Sequence, residues 1–402
     1  MAASGRGLGM TSRSPGRAGS GVYSVRFPRL YRPTWAEVDL DRLVSNLRRL
    51  RARMPARTGI MLVVKADGYG HGAVEVARAA RSSGTVSWLG VSSVEEGAVL
   101  REAGLRGPIL ILGSLYPFAS TLAAVRYGLT PTVASLEGAR RIVRAESRLS
   151  RPERRRLPLP CHLKIDTGMG RIGVRWPAGR EVVEYLGRSS GVRLEGVYTH
   201  LARAESDPAA TRRQLALFRR AVEDLERAGQ RVRLRHAANS AAALGFPESR
   251  WDLIRPGLAA YGLCGGFQPV LSLKTRIVFI KNVRAGTPIS YGALYRTRRA
   301  SLIATLPIGY GDGLPRLLST GPRRCSVIVR GRRCRVVGAI TMDMMMADVT
   351  AAPGVKVGDE AVITGRSGRE EVTAGELAAA ASTIPYEIVT GLSARVPRVY
   401  RK

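Results

Sequence analysis

The sequence predicts an α/β protein in which a parallel (β/α)8 barrel is followed by a mainly β domain. Eight short apolar segments alternate with helical segments over roughly 200 residues, the order typical of a parallel barrel. Beyond about Gly266 the helical periodicity nearly ends, and short strand-like segments are separated by Gly and Pro. A chain of 402 residues with 45% apolar content can bury the cores of two domains.

The predicted domains follow from these changes in composition. Residues 1–30 are rich in Gly, Ser and Arg, and we expect them to form a disordered basic tail. They contain no apolar segment of the kind found in secretory signals. Residues 31–266 are assigned to the barrel and residues 267–402 to the β domain. An alternating strand after Arg32 either begins the barrel or joins the β domain.

The barrel elements are predicted from apolar periodicity. Residues 60–64 are five apolar residues without polar alternation, the pattern of a strand buried on both faces. The predicted barrel elements are helix 41–53, strand 60–64, helix 73–82, strand 86–91, helix 94–103, strand 109–113, helix 118–127, strand 130–133, helix 135–148, strand 161–166, helix 178–188, strand 194–200, helix 208–228, strand 232–237, a short helix from Asn239 and strand 253–256.

The second domain is predicted to consist of short strands and one helix. That helix begins after Thr373, with Glu376 three residues later completing a capping box. The predicted strands lie at 270–283, 300–306, 325–329, 332–340, 346–349 and 360–363.

Composition excludes several classes of protein. The net charge of +33 comes from 58 Arg and 6 Lys spread over every element, without a basic stripe or binding module, so no specific nucleic-acid partner is expected. The sequence contains no run of 18 or more apolar residues, so no membrane span is predicted. The four cysteines contain no Cys-x-x-Cys pair, which argues against zinc or disulfides and favours a reducing, cytoplasmic setting. No metal-ligand spacing is present.

Lys65 ends the strand at 60–64, where barrel enzymes assemble their active sites. Burial there disfavours the ammonium form and frees the amine for Schiff-base chemistry. The alternative is a lysine whose stem packs on the strand end while its amine reaches solvent.

Polar residues follow two other predicted strands. His200 and His236 each lie at a strand end, which suggests a shared site at the barrel rim. Asn239 and Ser240 precede an alanine-rich helix, whose N-terminus can bind an anion. A simple N-cap explains the same two residues.

The segment Val-Val-Lys65-Ala-Asp-Gly-Tyr69-Gly-His-Gly resembles the cofactor-lysine segment of alanine racemases. The resemblance covers about residues 31–399. Further segments that match the family are 161–173, 252–262, 288–295, 307–313 and 341–344.

The resemblance implies a pyridoxal 5'-phosphate enzyme with this barrel and β domain. Lys65 would hold the cofactor covalently. The remaining cofactor-binding residues implied are Tyr69, His200, Asn239, Ser240, Arg255, Gly257, Leu258 and Tyr386, with His236 also placed around the ring. Arg255 would face the pyridine nitrogen, where a cation keeps that nitrogen unprotonated and limits side reactions. An ion pair with Asp252 is the structural alternative for Arg255.

The family pattern also implies substrate contacts and a second base. Arg171, Tyr310 and Met342 would contact the substrate, and Lys164 matches a lysine that carries a carbamate in several members. Tyr291 would be a catalytic base that reaches the site from the partner subunit, which implies a homodimer with shared active sites.

The implied activity is interconversion of L-alanine and D-alanine by two bases on a pyridoxal-phosphate aldimine, which supplies D-alanine for peptidoglycan. Lys65 would act on the D-enantiomer and Tyr291 on the L-enantiomer. A racemase of broader specificity is the main alternative. A decarboxylase of the same cofactor class would need a carboxylate beside the ring nitrogen. A non-catalytic cofactor carrier would lack the second domain. A lysine aldimine of the cofactor colours a protein, whereas a nucleic-acid binder without the cofactor would be colourless.

Overall fold

A computed structural model describes residues 31–402. The predicted tail, 1–30, lies outside the described residues. The described part of the chain begins with strand β1 (Thr34–Asp39) and helix α1 (Leu40–Ala52). The barrel strands are β2 (Gly59–Val63), β3 (Trp88–Val91), β4 (Ile109–Ile111), β5 (Thr132–Val133), β6 (Leu159–Lys164), β7 (Val192–Tyr198), β8 (Leu234–His236) and β9 (Leu253–Ile254). The other barrel helices are α2 (Lys65–Tyr69), α3 (Ala73–Ser82), α4 (Val94–Glu102), α5 (Phe118–Arg126), α6 (Leu136–Ser147), α7 (Gly179–Gly187), α8 (Pro208–Arg227) and α9 (Ser240–Gly245).

The eight strands β2–β9 are parallel and close into a barrel. They pair in the orders β4-β3-β2-β9 and β5-β6-β7-β8. Between β4 and β5, the Thr130 amide donates to the Ile109 carbonyl at 2.8 Å. Between β8 and β9, the Asp252 amide donates to the Arg235 carbonyl at 3.0 Å. All eight carboxyl ends therefore meet at one rim, and the predicted barrel is confirmed.

Strand β1 belongs to the sheet of the second domain. It pairs antiparallel with β10 (Leu271–Arg276) and parallel with the C-terminal strand at Arg398–Arg401. Arg32, just before β1, donates to the buried carboxylate of Asp312 at 2.6 and 2.9 Å. From Arg32 onward, the chain thus passes through the β domain, forms the barrel and returns to the β domain.

The second domain is mainly β, as predicted. Its further strands are β11 (Phe279–Val283), β12 (Pro288–Ile289), β13 (Tyr295–Arg296), β14 (Ser301–Leu306), β15 (Ser326–Val329), β16 (Arg332–Val337), β17 (Met345–Asp348), β18 (Glu360–Ser367), β19 (Glu370–Val372) and β20 (Arg398–Arg401). The main sheet has the order β11-β14-β17-β16-β15-β18-β10-β1-β20, with β19 beside β18.

The prediction of a single helix in this domain is wrong. Helix α11 (Ala374–Ala380) forms half of the predicted capping box: the Thr373 hydroxyl accepts from the Glu376 amide at 3.0 Å, but the Glu376 carboxylate accepts from Arg333 at 2.6 and 2.8 Å. Helices α10 (Leu317–Thr320) and α12 (Pro385–Thr390) flank it. Helices of four and six residues are too short to show the 3.6-residue period.

Two further findings concern residues 31–402. No helix in this range is both long and apolar enough to cross a membrane. No group of three or more His, Cys, Asp or Glu side chains there could hold a metal ion.

Candidate active site

Lys65 leaves strand β2 through a left-handed turn. Residues 66–69 have φ between 51° and 63°, so α2 is a left-handed turn and not a right-handed helix. This conformation is unfavourable for residues that carry a Cβ. Two anchors hold the turn: the Glu96 carboxylate accepts from the Ala66 amide at 2.7 Å, and the Asp67 carboxylate accepts from the Ala73 amide at 2.8 Å. The turn fixes Lys65 at the barrel rim.

A cavity of about 460 Å³ opens beside Lys65. The structure brings most of the predicted site residues together around it. The predicted residues that line it are Lys65, Tyr69, Lys164, Arg171, His200, Asn239, Ser240, Arg255, Gly257, Leu258 and Tyr386.

Four basic side chains line the cavity, and no Asp or Glu among the described residues does. Burial lowers the pKa of Lys65, and the nearby Arg171 lowers it further, while Glu96 opposes the shift. Burial, followed by Arg171 and Arg255, lowers the pKa of Lys164 to about 8. The cavity therefore favours an anionic ligand and an uncharged lysine amine.

One side of the cavity is rich in hydrogen-bond donors. The Ser240 oxygen accepts from the Gly257 amide at 3.0 Å and from the Ala259 amide at 3.2 Å, which leaves its own proton available. A Cβ on Gly257 would lie 2.4 Å from the Tyr69 hydroxyl oxygen, so any larger residue there would displace the Tyr69 side chain. The Asn239 side chain accepts from the first turn of α9, as an ordinary N-cap does.

Two tyrosine hydroxyls complete this side. Burial raises the pKa of Tyr69 to about 12 and also raises the pKa of Tyr386. Both hydroxyls stay protonated at neutral pH and can donate. The Tyr69 ring stacks on Tyr261 with centroids 4.8 Å apart.

Arg255 is buried and has no carboxylate partner among the described residues. It donates to the Thr199 carbonyl at 2.7 Å and to Nδ1 of His236 at 3.0 Å. Asp252 instead accepts from Nε of Arg235 at 2.8 Å. The alternative of an Asp252–Arg255 ion pair is therefore wrong, and the Arg255 charge is not neutralised.

The two predicted histidines differ in position. His200 lines the cavity, and burial followed by Arg255 lowers its pKa to about 3. His236 is fully buried and does not line the cavity, so its placement around the cofactor ring is corrected. Its ring stacks in parallel on Tyr198, with centroids 4.7 Å apart, and Tyr198 does line the cavity.

Arg171 extends from a loop built around one carboxylate. Asp166 Oδ1 accepts from the amides of Gly168, Met169 and Gly170 at 3.0, 2.8 and 3.2 Å. These bonds fix the glycine-rich loop after β6, as the match at 161–173 suggested. Arg171 is itself exposed at the cavity mouth.

Tyr291, Tyr310 and Met342 do not line the cavity of their own chain. They are exposed by 75%, 44% and 52% and lie on the second domain. Hydrogen bonds connect their segments. The Tyr310 amide donates to the Thr341 carbonyl at 3.0 Å, and the Gly311 amide donates to the Met342 carbonyl at 2.8 Å. Next to Tyr291, the Ser290 hydroxyl donates to the Ala339 carbonyl at 2.7 Å. We call Tyr291, Leu294, Tyr310, Met342 and Met344 the second-domain apolar surface.

Several cavity residues were not predicted from the sequence. They are Val63, Leu112, Met169, Tyr198, Ala202 and Ile384. Tyr198 carried a usable signal, since it lies two residues before His200 and alternate strand residues share a face. Ile384 carried none, because its position depends on the unpredicted helix α12.

Comparison with known proteins gives a consistent result. The family described as "Alanine racemase, N-terminal domain" matches residues 38–264, and "Alanine racemase, C-terminal domain" matches residues 270–400. Alanine racemases of Symbiobacterium thermophilum and Halothermothrix orenii are 47% and 42% identical, over 92% and 93% of this chain and 97% and 98% of those proteins.

Solved structures agree in fold. An alanine racemase from D-cycloserine-producing Streptomyces lavendulae superposes with a TM-score of 0.85 at 36% identity, covering 92% of this chain and 97% of that one. The Bacillus anthracis alanine racemase with bound L-Ala-P gives 0.84 at 35% identity, with 92% and 96% covered.

Proposed function

The chain belongs to the alanine racemase family of amino-acid isomerases, and from that premise we propose that it interconverts L-alanine and D-alanine with pyridoxal 5'-phosphate. The cavity at the barrel rim carries the proposal. It presents Lys65 with a lowered pKa among three further basic side chains, and no carboxylate of the described residues lines it. The relatives named above are alanine racemases, so broader specificity is not favoured.

The residues present fit this cofactor. A phosphate needs donors, and Ser240, Tyr69 and Tyr386 offer protonated hydroxyls on one side of the cavity. Gly257 leaves the space that a Cβ would fill beside Tyr69. In this assignment, Asn239 and Leu258 line the phosphate end and His200 lies beside the ring. Bound pyridoxal phosphate would supply an electron-withdrawing ring that accepts negative charge developing on the substrate α-carbon.

Arg255 is assigned to the pyridine nitrogen. An arginine stays charged at neutral pH and does not act as an acid, so it does not protonate the ring nitrogen. Its partners are backbone carbonyls and neutral imidazoles, which leave its charge intact. An arginine beside the pyridine nitrogen would moderate the electron withdrawal by the cofactor ring. That suits a reaction in which the proton must return quickly to the substrate α-carbon.

Arg171 is assigned to the substrate carboxylate, because a guanidinium can bind a carboxylate through two charge-assisted hydrogen bonds. Lys164 lies nearby in the cavity wall. A pKa of about 8 leaves part of this amine neutral at pH 7.5, and carbamylation requires a neutral amine. We assign Lys164 as a carbamylation site whose negative charge would orient Arg171.

Two bases on opposite faces of the substrate perform the proton transfer. Lys65 removes or returns the α-proton on the D-alanine side, and the lowering of its pKa by burial and by Arg171 favours the neutral amine that acts as the base. The hydroxyl of Tyr291 serves the L-alanine side. Since Tyr291 does not line the cavity of its own chain, the partner subunit's Tyr291 would serve it in a homodimer.

The second-domain apolar surface supports this assembly. Exposed aromatic and methionine side chains on segments that are hydrogen-bonded to one another are typical of protein interfaces. Tyr310 and Met342 belong to it and would reach the partner's substrate site together with Tyr291. The product D-alanine would serve cell-wall synthesis, and the setting would be the cytoplasm.

A direct assay tests the proposal. Purified chain supplied with pyridoxal phosphate should convert either enantiomer of alanine to the racemate, as followed by chiral chromatography. Lys65→Ala should abolish conversion, whereas Lys356→Ala, at an exposed lysine outside the cavity, should not. Absence of racemisation by the cofactor-loaded wild type would refute the function. Full activity of Lys65→Ala would refute the assigned site. Faster turnover of another amino acid than of alanine would favour the alternative of a racemase of broader specificity.

A further inference from the structure

His162 is a buried residue of strand β6 to which the proposed mechanism gives no role. It is fully buried and does not line the cavity. The chain makes specific room for it, because a Cβ on Gly196 of the adjacent strand would lie 2.7 Å from its ring. Its ring also packs against Trp88, with centroids 5.1 Å apart.

His162 is connected to Arg255 through His236. Nδ1 of His162 lies 2.9 Å from Nε2 of His236, and Nδ1 of His236 lies 3.0 Å from an Arg255 nitrogen. A guanidinium can only donate, so Nδ1 of His236 must accept. Neutral His236 then carries its proton on Nε2 and donates it to Nδ1 of His162. His162 in turn carries its proton on Nε2.

This sequence of donors ends at an unpaired group. Nε2 of His162 is buried and has no hydrogen-bond partner within residues 31–402. A buried N–H without an acceptor costs free energy of folding. An apolar side chain would fill the space without that cost, so packing alone does not explain an imidazole at this position. The charged groups facing the two rings are cations, Arg255 and Arg233, which oppose protonation of either ring.

We propose that His162 is a positioning residue for Arg255. By accepting the Nε2 proton of His236, it leaves the Nδ1 lone pair of His236 to hold the Arg255 guanidinium. Arg255 is thereby fixed by a neutral acceptor that cannot cancel its charge. The inference rests on the proposed role of Arg255 beside the cofactor ring.

The four histidines make the proposal measurable by 15N spectroscopy of holoenzyme labelled in histidine side chains. His71 is an internal reference, because its Nδ1 lies 2.7 Å from the Tyr69 carbonyl and must donate. At neutral pH, His162 and His236 should be neutral with the proton on Nε2, and His71 should be neutral with the proton on Nδ1. A protonated His236, or His236 with its proton on Nδ1, would overturn the proposal without any variant.

Two substitutions separate positioning from packing. His162→Asn can place an amide oxygen near the position of Nδ1, whereas His162→Leu offers no acceptor. In His162→Leu we expect the Nε2–H of His236 to lose its acceptor, which should move its 15N signal toward that of an unbonded N–H, and the pyridoxal phosphate dissociation constant to rise about tenfold, roughly the worth of one hydrogen bond. His162→Asn should restore both properties to within a few-fold.

The matched control is His71→Leu, which removes an equally buried imidazole that makes no bond to His236. It should leave the His236 signal unchanged. Equal cofactor loss in both His162 variants with an unchanged His236 signal would show that His162 only packs the core. A correct histidine pattern in a protein that binds cofactor but does not racemise alanine would refute the proposed function alone.

Discussion

Mild acid should destabilise this protein strongly, because its histidines are held neutral. Burial lowers the pKa of His71 to about 4 and the pKa values of His162 and His200 to about 3, from an ordinary 6.5. The pKa of His236 is lowered well below 6.5. Since the folded-state pKa values are depressed, the unfolded chain binds more protons below pH 6.5. The stability present above that pH is therefore lost as the pH falls toward 3 or 4.

The size of the effect follows from linkage. Each pH unit between the two pKa values costs about 1.4 kcal/mol per group. At about pH 5, each of His71, His162 and His200 should therefore cost about 2 kcal/mol relative to about pH 7.5. The three together should remove about 6 kcal/mol, with His236 adding to the loss. That is comparable to the whole stability of an ordinary domain.

Urea unfolding at fixed protein concentration measures this directly. Reducing the bound cofactor with borohydride first keeps it attached, so that its pH-dependent release does not contribute. His162→Asn should lose about 2 kcal/mol less than wild type between the two pH values, because one titrating group is gone. If the wild type loses less than about 2 kcal/mol of unfolding free energy, or if the variant keeps the same pH dependence, the claim that these buried histidines are neutral would be refuted.

Three further predictions concern the site. Tyr291→Phe should lower turnover at least ~10²-fold in both directions while solvent deuterium still enters D-alanine, and equal loss of exchange for both enantiomers would argue for a single base. Mixed Lys65→Ala and Tyr291→Ala subunits should regain activity by forming one intact site per heterodimer; no recovery despite proven subunit exchange would contradict shared sites. Gly257→Ala places a Cβ 2.4 Å from the Tyr69 hydroxyl oxygen. Absorbance titration should show the affinity for the cofactor falling about tenfold or more, and an unchanged affinity would mean that the side of the cavity formed by Gly257 and Tyr69 does not bind the phosphate.

The barrel could be predicted from the sequence because the apolar pattern within each short segment is enough to identify its strands and helices. Strand β2 is buried along most of its length, and its uninterrupted apolar residues reflect that burial. Strand β1 was harder, since its alternating pattern suits either domain. Only its pairing with β10 and β20, more than 200 residues away, decides the matter.

Parts of the site depend on contacts that no local pattern reveals. The left-handed turn at residues 66–69 is stabilised by Glu96, thirty residues away, against the preference of the residues in it. His236 lies at a strand end, as predicted, but it is fully buried, contacts Arg255, Tyr198 and His162, and does not itself line the cavity. Tyr291 was identified only through the family resemblance, because an exposed tyrosine has no local signature of catalysis.

The central claim is that Lys65 is the residue that carries the cofactor. Borohydride reduction of the pyridoxal phosphate holoenzyme, followed by proteolysis and peptide mapping, tests it most directly. The chain has only 6 lysines, so the label can be assigned without ambiguity. We predict one label per chain on the peptide containing Lys65, and a label on Lys164 or another lysine, or no label, would contradict the account.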